Sequence, residues 1–289
     1  MPRYARDCLS HRRLMGPRTL WRRIEHLILG RSAYKFLLDD WTRVPDLDGL
    51  AEALASTRYM RTLRPAALNG PRANRILIIA PHEDDEMIGP GGTILKALDA
   101  GATVHVVYLA AERGPRGDAR RAETAQVSAL VGYTTEFLEF PADALPITAK
   151  SGALLAQAIR KFNPGAALVP FLTDDHPDHR GASMLLLRAA ESGLDGNIEV
   201  WAYQVYSAVL PNVVVDITDV SARKTAAIRM WEKSAMQSRD WAHFASGLNA
   251  YNSRLLPGNA GARFAEVFFV VPLSEYLAVC RTYASRAAN

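Results

Sequence analysis

"LIIAPHEDDEMIGPGG", residues 77–92, carries a continuous apolar run straight into one histidine and four carboxylates, His82, Glu83, Asp84, Asp85 and Glu86. The run Ile76–Ala80 lacks polar alternation, which is the pattern of a strand covered on both faces. Further strand patterns lie at Val104–Ala110, Glu136–Phe140, Ala166–Pro170, Ile198–Val205, Val213–Ile217 and Phe268–Val271. Helical patterns separate them at Gly92–Ala100, Arg120–Val131, Leu154–Phe162 and Ser183–Ser192, with one more, capped by Asp219 or Ser221, running to Lys233. Strand–helix alternation predicts an α/β, Rossmann-like layered fold with a mostly parallel central sheet flanked by helices.

In such sheets ligands bind beyond the carboxyl ends of strands. The charged run after Ala80 sits at one such end. "LVPFLTDDHPDH", residues 168–179, places Asp174, Asp175, His176, Asp178 and His179 just past another. Two distant segments can therefore converge. Imidazole and carboxylate are good zinc ligands, and a catalytic zinc site uses three protein ligands. His82 and Asp85, three apart, share one side of a tight turn or opening helical turn. One or two ligands from the second cluster would complete the set. Asp84, pointing elsewhere, would stand over the activated water.

Outside these clusters the chain is ordinary for a globular protein: 289 residues, 49% hydrophobic and 22% charged. No apolar run approaches the ~18 residues that span a bilayer. The first residues are Arg-rich and lack an apolar signal region. Two cysteines, Cys8 and Cys280, argue against a disulfide framework or a cysteine zinc site and fit a reducing, cytoplasmic setting. Residues 1–70 hold 13 Lys/Arg against 7 Asp/Glu, which leaves 21 against 23 for the remainder. The boundary "LNGPRAN", residues 68–74, separates a basic helical N-terminal extension, 1–70, from the main domain, 71–289. Within the extension Leu20, Trp21, Ile24, Leu27 and Ile28 form an amphipathic face. That face predicts packing on the main domain or another subunit, as in a homo-oligomer, or peripheral contact with an anionic membrane. No basic stripe with interleaved aromatics points to nucleic acid.

Taken together, the motifs resemble the LmbE-like, or PIG-L, zinc-dependent deacetylases. Pro81-His82-Glu83-Asp84-Asp85-Glu86 resembles that family's (P/A)-H-P-D-D-E, and His176-Pro177-Asp178-His179 its H-P-D-H. Gly91-Gly92, Arg120 with Glu123, and Phe264-Ala265-Glu266-Val267-Phe268 extend the likeness over roughly residues 74–270. The resemblance implies zinc ligation by His82, Asp85 and His179, with iron(II) able to use the same donors. It implies Asp84 as general base, and His176, oriented by Asp178, as oxyanion stabiliser or proton donor. It also implies a substrate contact at Arg120. The implied reaction removes an N-acetyl group from an amino sugar, free or lipid-linked, most simply N-acetylglucosamine within a larger conjugate. Alternatives are an amidase of a larger acyl or thiol-conjugate amide, and a carbohydrate-binding protein without turnover. Glu83 stands where the family has proline, and no role follows for it.

The remaining candidates divide. Asp143, in "FPAD", is expected to reach the pocket. "ERGPRGDARR", residues 112–121, reads as a solvated loop or a flap over the site. His105 reads as a satisfied strand histidine, and His11, His26 and His243 as surface or packing residues. Gly89-Pro90-Gly91-Gly92 lacks the third spaced glycine of a dinucleotide loop. Glu86 reads as a supporting or helix-start carboxylate, and Lys224 and Gln237 as structural.

Overall fold

The computed structural model describes residues 65–194, 197–231, 240–258, 261 and 263–287. Residues 1–64 lie outside this set, and with them the amphipathic face Leu20–Ile28 of the extension, His11, His26 and Cys8; Gln237 also lies outside.

Eight strands form one sheet: β1 Ala66–Leu68, β2 Arg75–Ala80, β3 Thr103–Ala111, β4 Thr134–Pro141, β5 Ala166–Pro170, β6 Glu199–Tyr203, β7 Val213–Asp216 and β8 Ala265–Pro272. Their spatial order is β1-β7-β8-β6-β5-β2-β3-β4. Every pairing is parallel except those of β8, which runs antiparallel between β6 and β7. The expected mostly parallel α/β sheet is present. β1 lies inside the stretch read as extension and joins the sheet through β7.

The described helices are α1 Asp85–Ile88, α2 Gly91–Asp99, α3 Pro115–Val131, α4 Ala149–Phe162, α5 Pro177–Glu191, α6 Ser221–Ile228, α7 Trp241–Asn252 and α8 Leu273–Ala287. Strand residues alternate between two cores, as a period of two requires. Leu77, Ile79 and Val169 face a layer with Leu155, Leu185 and Tyr276 of α4, α5 and α8. Ile76, Ile78 and Ala80 face a layer with Ile94, Val127 and Ala227 of α2, α3 and α6. Burial on both faces is why β2 and β5 read as unbroken apolar runs.

β2 lies between β3 and β5, and the chain leaves it toward β3 on one side and returns to β5 on the other. This is the point of a doubly wound sheet where loops diverge and open a crevice. Both charged clusters emerge there, because Leu77 pairs with Ala167 and the two strands end side by side.

Two local expectations change. Residues 112–121 are mostly not a loop: α3 begins at Pro115, where a missing N–H costs nothing at the first helical position. Gly117 lets that first turn close on the preceding chain, since a Cβ there would lie 1.9 Å from the Glu112 carbonyl oxygen. α7 and α8, absent from the sequence reading, are full helices. His105, by contrast, is the satisfied strand histidine expected, with Nδ1 2.7 Å from Thr134 Oγ1.

The loop behind the first cluster is tied down by a buried ion pair. Lys224 Nζ donates to Glu266 Oε1 at 2.8 Å, to Asn249 Oδ1 at 2.9 Å and to the Gly89 carbonyl at 3.0 Å. Glu266 also accepts from the backbone N–H groups of Gly92 and Thr93 at 2.6 and 2.8 Å, so it caps α2 from another element. Gly92 is needed for this approach, because a Cβ would meet Ile217 at 2.7 Å. Lys224→Met leaves Glu266 charged and buried, and should cost about 3–5 kcal/mol of stability. Urea unfolding measures this; a loss below ~1 kcal/mol would remove the pair from this tying role. Adding Glu266→Gln should recover part of the loss.

Candidate metal centre

The backbone turns sharply where β2 ends. Asp84 has φ 110°, a left-handed value that Asp tolerates better than most residues, and α1 starts directly after it. The turn is held from two sides. Asp85 Oδ2 accepts from the His82 backbone N–H at 2.9 Å, and Glu86 Oε2 from the Asp84 N–H at 3.1 Å. Tyr133 donates to Glu86 Oε1 at 2.7 Å. Burial pushes the Glu86 carboxyl up to about 8. Glu86 is thus a support for the turn, as expected.

Asp85 is fully buried, and its Oδ2 lies 3.3 Å from His82 Nδ1 and 3.2 Å from His179 Nε2. A tetrahedral ion with bonds of about 2.0–2.1 Å separates its ligand atoms by roughly 3.3 Å. These two contacts therefore have the lengths of edges of such a site. Asp85 Oδ1 and both His179 ring nitrogens are buried without a hydrogen bond. The nitrogens are within ion-pair range of carboxylates but lack hydrogen-bond geometry. Orphaned donors of this kind fit a cation. One nitrogen each of His82, His176 and His179 also lie within 4.8 Å of one another, so His176 belongs to the same cluster. The side chains of His179 and Asp85 have no exposed surface, whereas 21% of His82 and 28% of His176 is exposed. The opening is therefore on the His82–His176 side.

His82 and His179 each have a carboxylate behind them. His82 Nε2 lies 2.9 Å from Asp178 Oδ2, and His179 Nδ1 lies 3.0 Å from Asp174 Oδ1. Metal-binding histidines commonly have such outer carboxylates, which set ring orientation and raise basicity. Burial alone would lower both histidines. Asp178 and Asp85 hold His82 up at about 9, and Asp85 and Asp174 hold His179 at about 10. Burial alone would raise Asp85, and the two histidines hold it well below the carboxylate range. In their charged form the two rings would carry protons on the nitrogens that face a cation, so binding would release them.

Asp178 departs from its expected partner. Its carboxylate goes to His82 and accepts from the backbone N–H groups of Asp143 at 2.7 Å and Leu145 at 3.2 Å. It meets His176 only through its own N–H, which donates to His176 Nδ1 at 3.2 Å. That contact makes Nδ1 an acceptor, so the neutral ring carries its proton on Nε2, the nitrogen 3.7 Å from Asp143 Oδ1. Burial and the neighbouring histidines lower the pKa of His176, in keeping with the neutral form.

Asp84 lies beside the histidines with its carboxyl raised by burial to about 6, against the pull of Arg120. Arg120, expected at the substrate, is itself buried. Its guanidinium reaches Asp84 Oδ2 at 3.2 Å, Glu83 Oε2 at 3.5 Å and the Glu83 carbonyl. Glu83 thereby gains a role: it shares Arg120 with Asp84. Asp143 is at the rim, exposed, with Oδ1 3.7 Å from His176 Nε2. Sequence reasoning missed Asp174 as a partner for His179, and it missed Tyr206, whose ring stacks on His179 at 5.0 Å. The available signals were an extra carboxylate two residues before His176, and an aromatic just past the end of β6.

Residues 77–190, which include both clusters, match the family model described as PIG-L: GlcNAc-PI de-N-acetylase. The diacetylchitobiose deacetylase of Thermococcus kodakarensis is 30% identical over 237 residues, covering 71% of this chain and 86% of that protein. The solved structure of N,N'-diacetylchitobiose deacetylase from Pyrococcus horikoshii is similar with a TM-score of 0.61 at 25% identity, over 71% of this chain and 86% of that one. The conserved protein TT1542 from Thermus thermophilus is similar with a TM-score of 0.58 at 26% identity, over 67% and 92%. Among the described residues no helix is long and apolar enough to cross a membrane.

If Asp174 and Asp178 support the ligands, Asp174→Asn and Asp178→Asn should each weaken metal binding by roughly 10- to 100-fold. Metal content after dialysis against graded chelator measures this. Unchanged retention in a folded variant would refute the assignment for that residue.

Proposed function

The chain belongs to the PIG-L (LmbE-like) family of de-N-acetylases, and on that premise we propose that it hydrolyses the N-acetyl group of an N-acetyl amino sugar. N-acetylglucosamine within a larger conjugate is the proposed substrate class. The reading is carried by Asp85 Oδ2, set at ligand-edge distance from His82 and His179 with Asp84 beside it. The family is metal-dependent; zinc is the ion proposed here, held by His82, Asp85 and His179, and iron(II) suits the same donors. When bound, the ion polarises the amide carbonyl and lowers the pKa of a coordinated water to about 7.

The chain's own residues do the rest. Asp84 takes a proton from the attacking water as its oxygen bonds to the carbonyl carbon. Arg120, itself held by Glu83, keeps Asp84 in place and balances its charge. His176 presents its Nε2–H to the developing oxyanion. A neutral ring with its proton on Nε2 is a hydrogen-bond donor rather than an acid for an amine. The proton therefore passes from Asp84 to the nitrogen as the C–N bond breaks, giving acetate and the free amine. Asp143, exposed at the rim, is placed to accept hydrogen bonds from sugar hydroxyls.

Acetate release from nucleotide-, lipid- and antibiotic-linked N-acetyl sugars tests the reaction and finds the conjugate. Asp84→Asn should keep its metal and lose about 10²- to 10⁴-fold in kcat. Full turnover in that variant would exclude Asp84 as the base. Asp85→Ala should lose both metal and activity. Acetate release that persists in Asp85→Ala, or after complete removal of metal, would reject the proposed centre.

A further inference from the structure

A line of aromatic rings starts at His179 and runs to the first turn of α7. Tyr206 stacks nearly parallel on His179, at 5.0 Å and 20°. Trp241 follows at 5.3 Å from Tyr206, and Phe244 at 6.0 Å from Trp241. Trp241 and Phe244 are three residues apart on the first turn of α7, so they share a face. Phe244 is 54% exposed and Tyr206 36%. A single exposed ring is unremarkable, but exposed rings in contact and continuous with a reaction site mark a binding surface.

The shelf is rigidly mounted. The Tyr206 backbone N–H donates to Asp174 Oδ2 at 3.1 Å, so the carboxylate behind His179 also seats the first ring. Asp240 caps α7 through the His243 N–H at 2.8 Å. Asn249, further along α7, accepts from Lys224 and donates to the Ala265 carbonyl. A preorganised aromatic surface binds without first having to order itself.

We propose that Tyr206, Trp241 and Phe244 form a saccharide subsite that receives the sugar rings joined to the residue being deacetylated. This inference rests on the amino-sugar reading above and names the part of the substrate beyond the reacting ring. The C–H faces of a pyranose are apolar and suit the negative face of an aromatic ring. The Tyr206 hydroxyl adds a polar tip at a ring edge, where sugar hydroxyls lie. An anionic membrane would instead call for Lys or Arg on this face, and Trp241–Asn252 contains neither.

The test compares the full-length protein with Phe244→Ala, which removes an exposed ring. KM and kcat are measured for N-acetylglucosamine and its β-linked trimer, and Kd for the deacetylated monomer and trimer by calorimetry. The expected result is a roughly three- to tenfold rise in KM and Kd for the trimer, with the monomer values and kcat unchanged. Trp241→Ala should repeat this loss and Trp241→Phe should restore most of the trimer affinity. An unchanged trimer Kd in Phe244→Ala, or an equal loss for monomer and trimer, overturns the subsite. So does lost sedimentation with phosphatidylglycerol vesicles without any length-dependent change, which would assign the shelf to a membrane. Absence of acetate release from every substrate in the wild type would count against the deacetylase reading alone, because the Kd comparison still decides the shelf.

Discussion

Everything at this site follows from burying the Asp85 carboxylate. An ionised carboxylate cannot be taken out of water unless charge and hydrogen bonds compensate it. Here one oxygen is met by the His82 backbone N–H and flanked by two imidazoles, and the other has no hydrogen bond. The two imidazoles come from segments almost a hundred residues apart. They meet because β2 and β5 are neighbours at the divergence point of a doubly wound sheet. A cation between Asp85 Oδ2 and the two imidazoles would draw together the two segments that the sheet has already aligned.

The same constraint spreads outward. His82 and His179 each have an outer carboxylate, and those carboxylates are held by backbone N–H groups of further loops. Through Asp178 the centre is tied to the Asp143–Leu145 loop, and through Asp174 to the Tyr206 ring and its aromatic neighbours. Arg120 bridges Glu83 and Asp84, and Lys224 bridges Glu266 and the carbonyl of Gly89. In each case a buried acid has a cation or a set of N–H donors. An alternating series of this kind fixes geometry more tightly than apolar packing, because each member must find its partner.

Much of the fold was legible. Strands covered on both faces appear as apolar runs, and β2, β3 and β5 could be read directly. β1 could not: Ala66–Leu68 is strand only because β7 offers a partner. α8 escaped notice although it buries Leu273, Tyr276, Leu277, Val279, Cys280 and Tyr283 at helical spacing, because tyrosine and cysteine fill half of those positions. The start of α3 was hidden by "RGPRG", whose glycines and proline usually break structure, although proline at a first helical position starts it. At the site, the expected His82, Asp84, Asp85, His176 and His179 converge. Arg120 and Asp178 face partners other than those expected.

Residue type and position along a strand are properties of the chain itself. They were enough to place two His/Asp clusters at the ends of buried strands and to name a metal and a base as their chemistry. Partner choice was not. Glu83 had no role until folding put Arg120 of α3 against it, and Asp174 was an extra acid until His179 turned toward it. Tyr206 was one more aromatic until the loop after β6 laid it on a histidine. These outcomes depend on a left-handed turn at Asp84 and on strand order in the sheet. Both set the direction of side chains in space, which sequence spacing across a hundred residues does not encode.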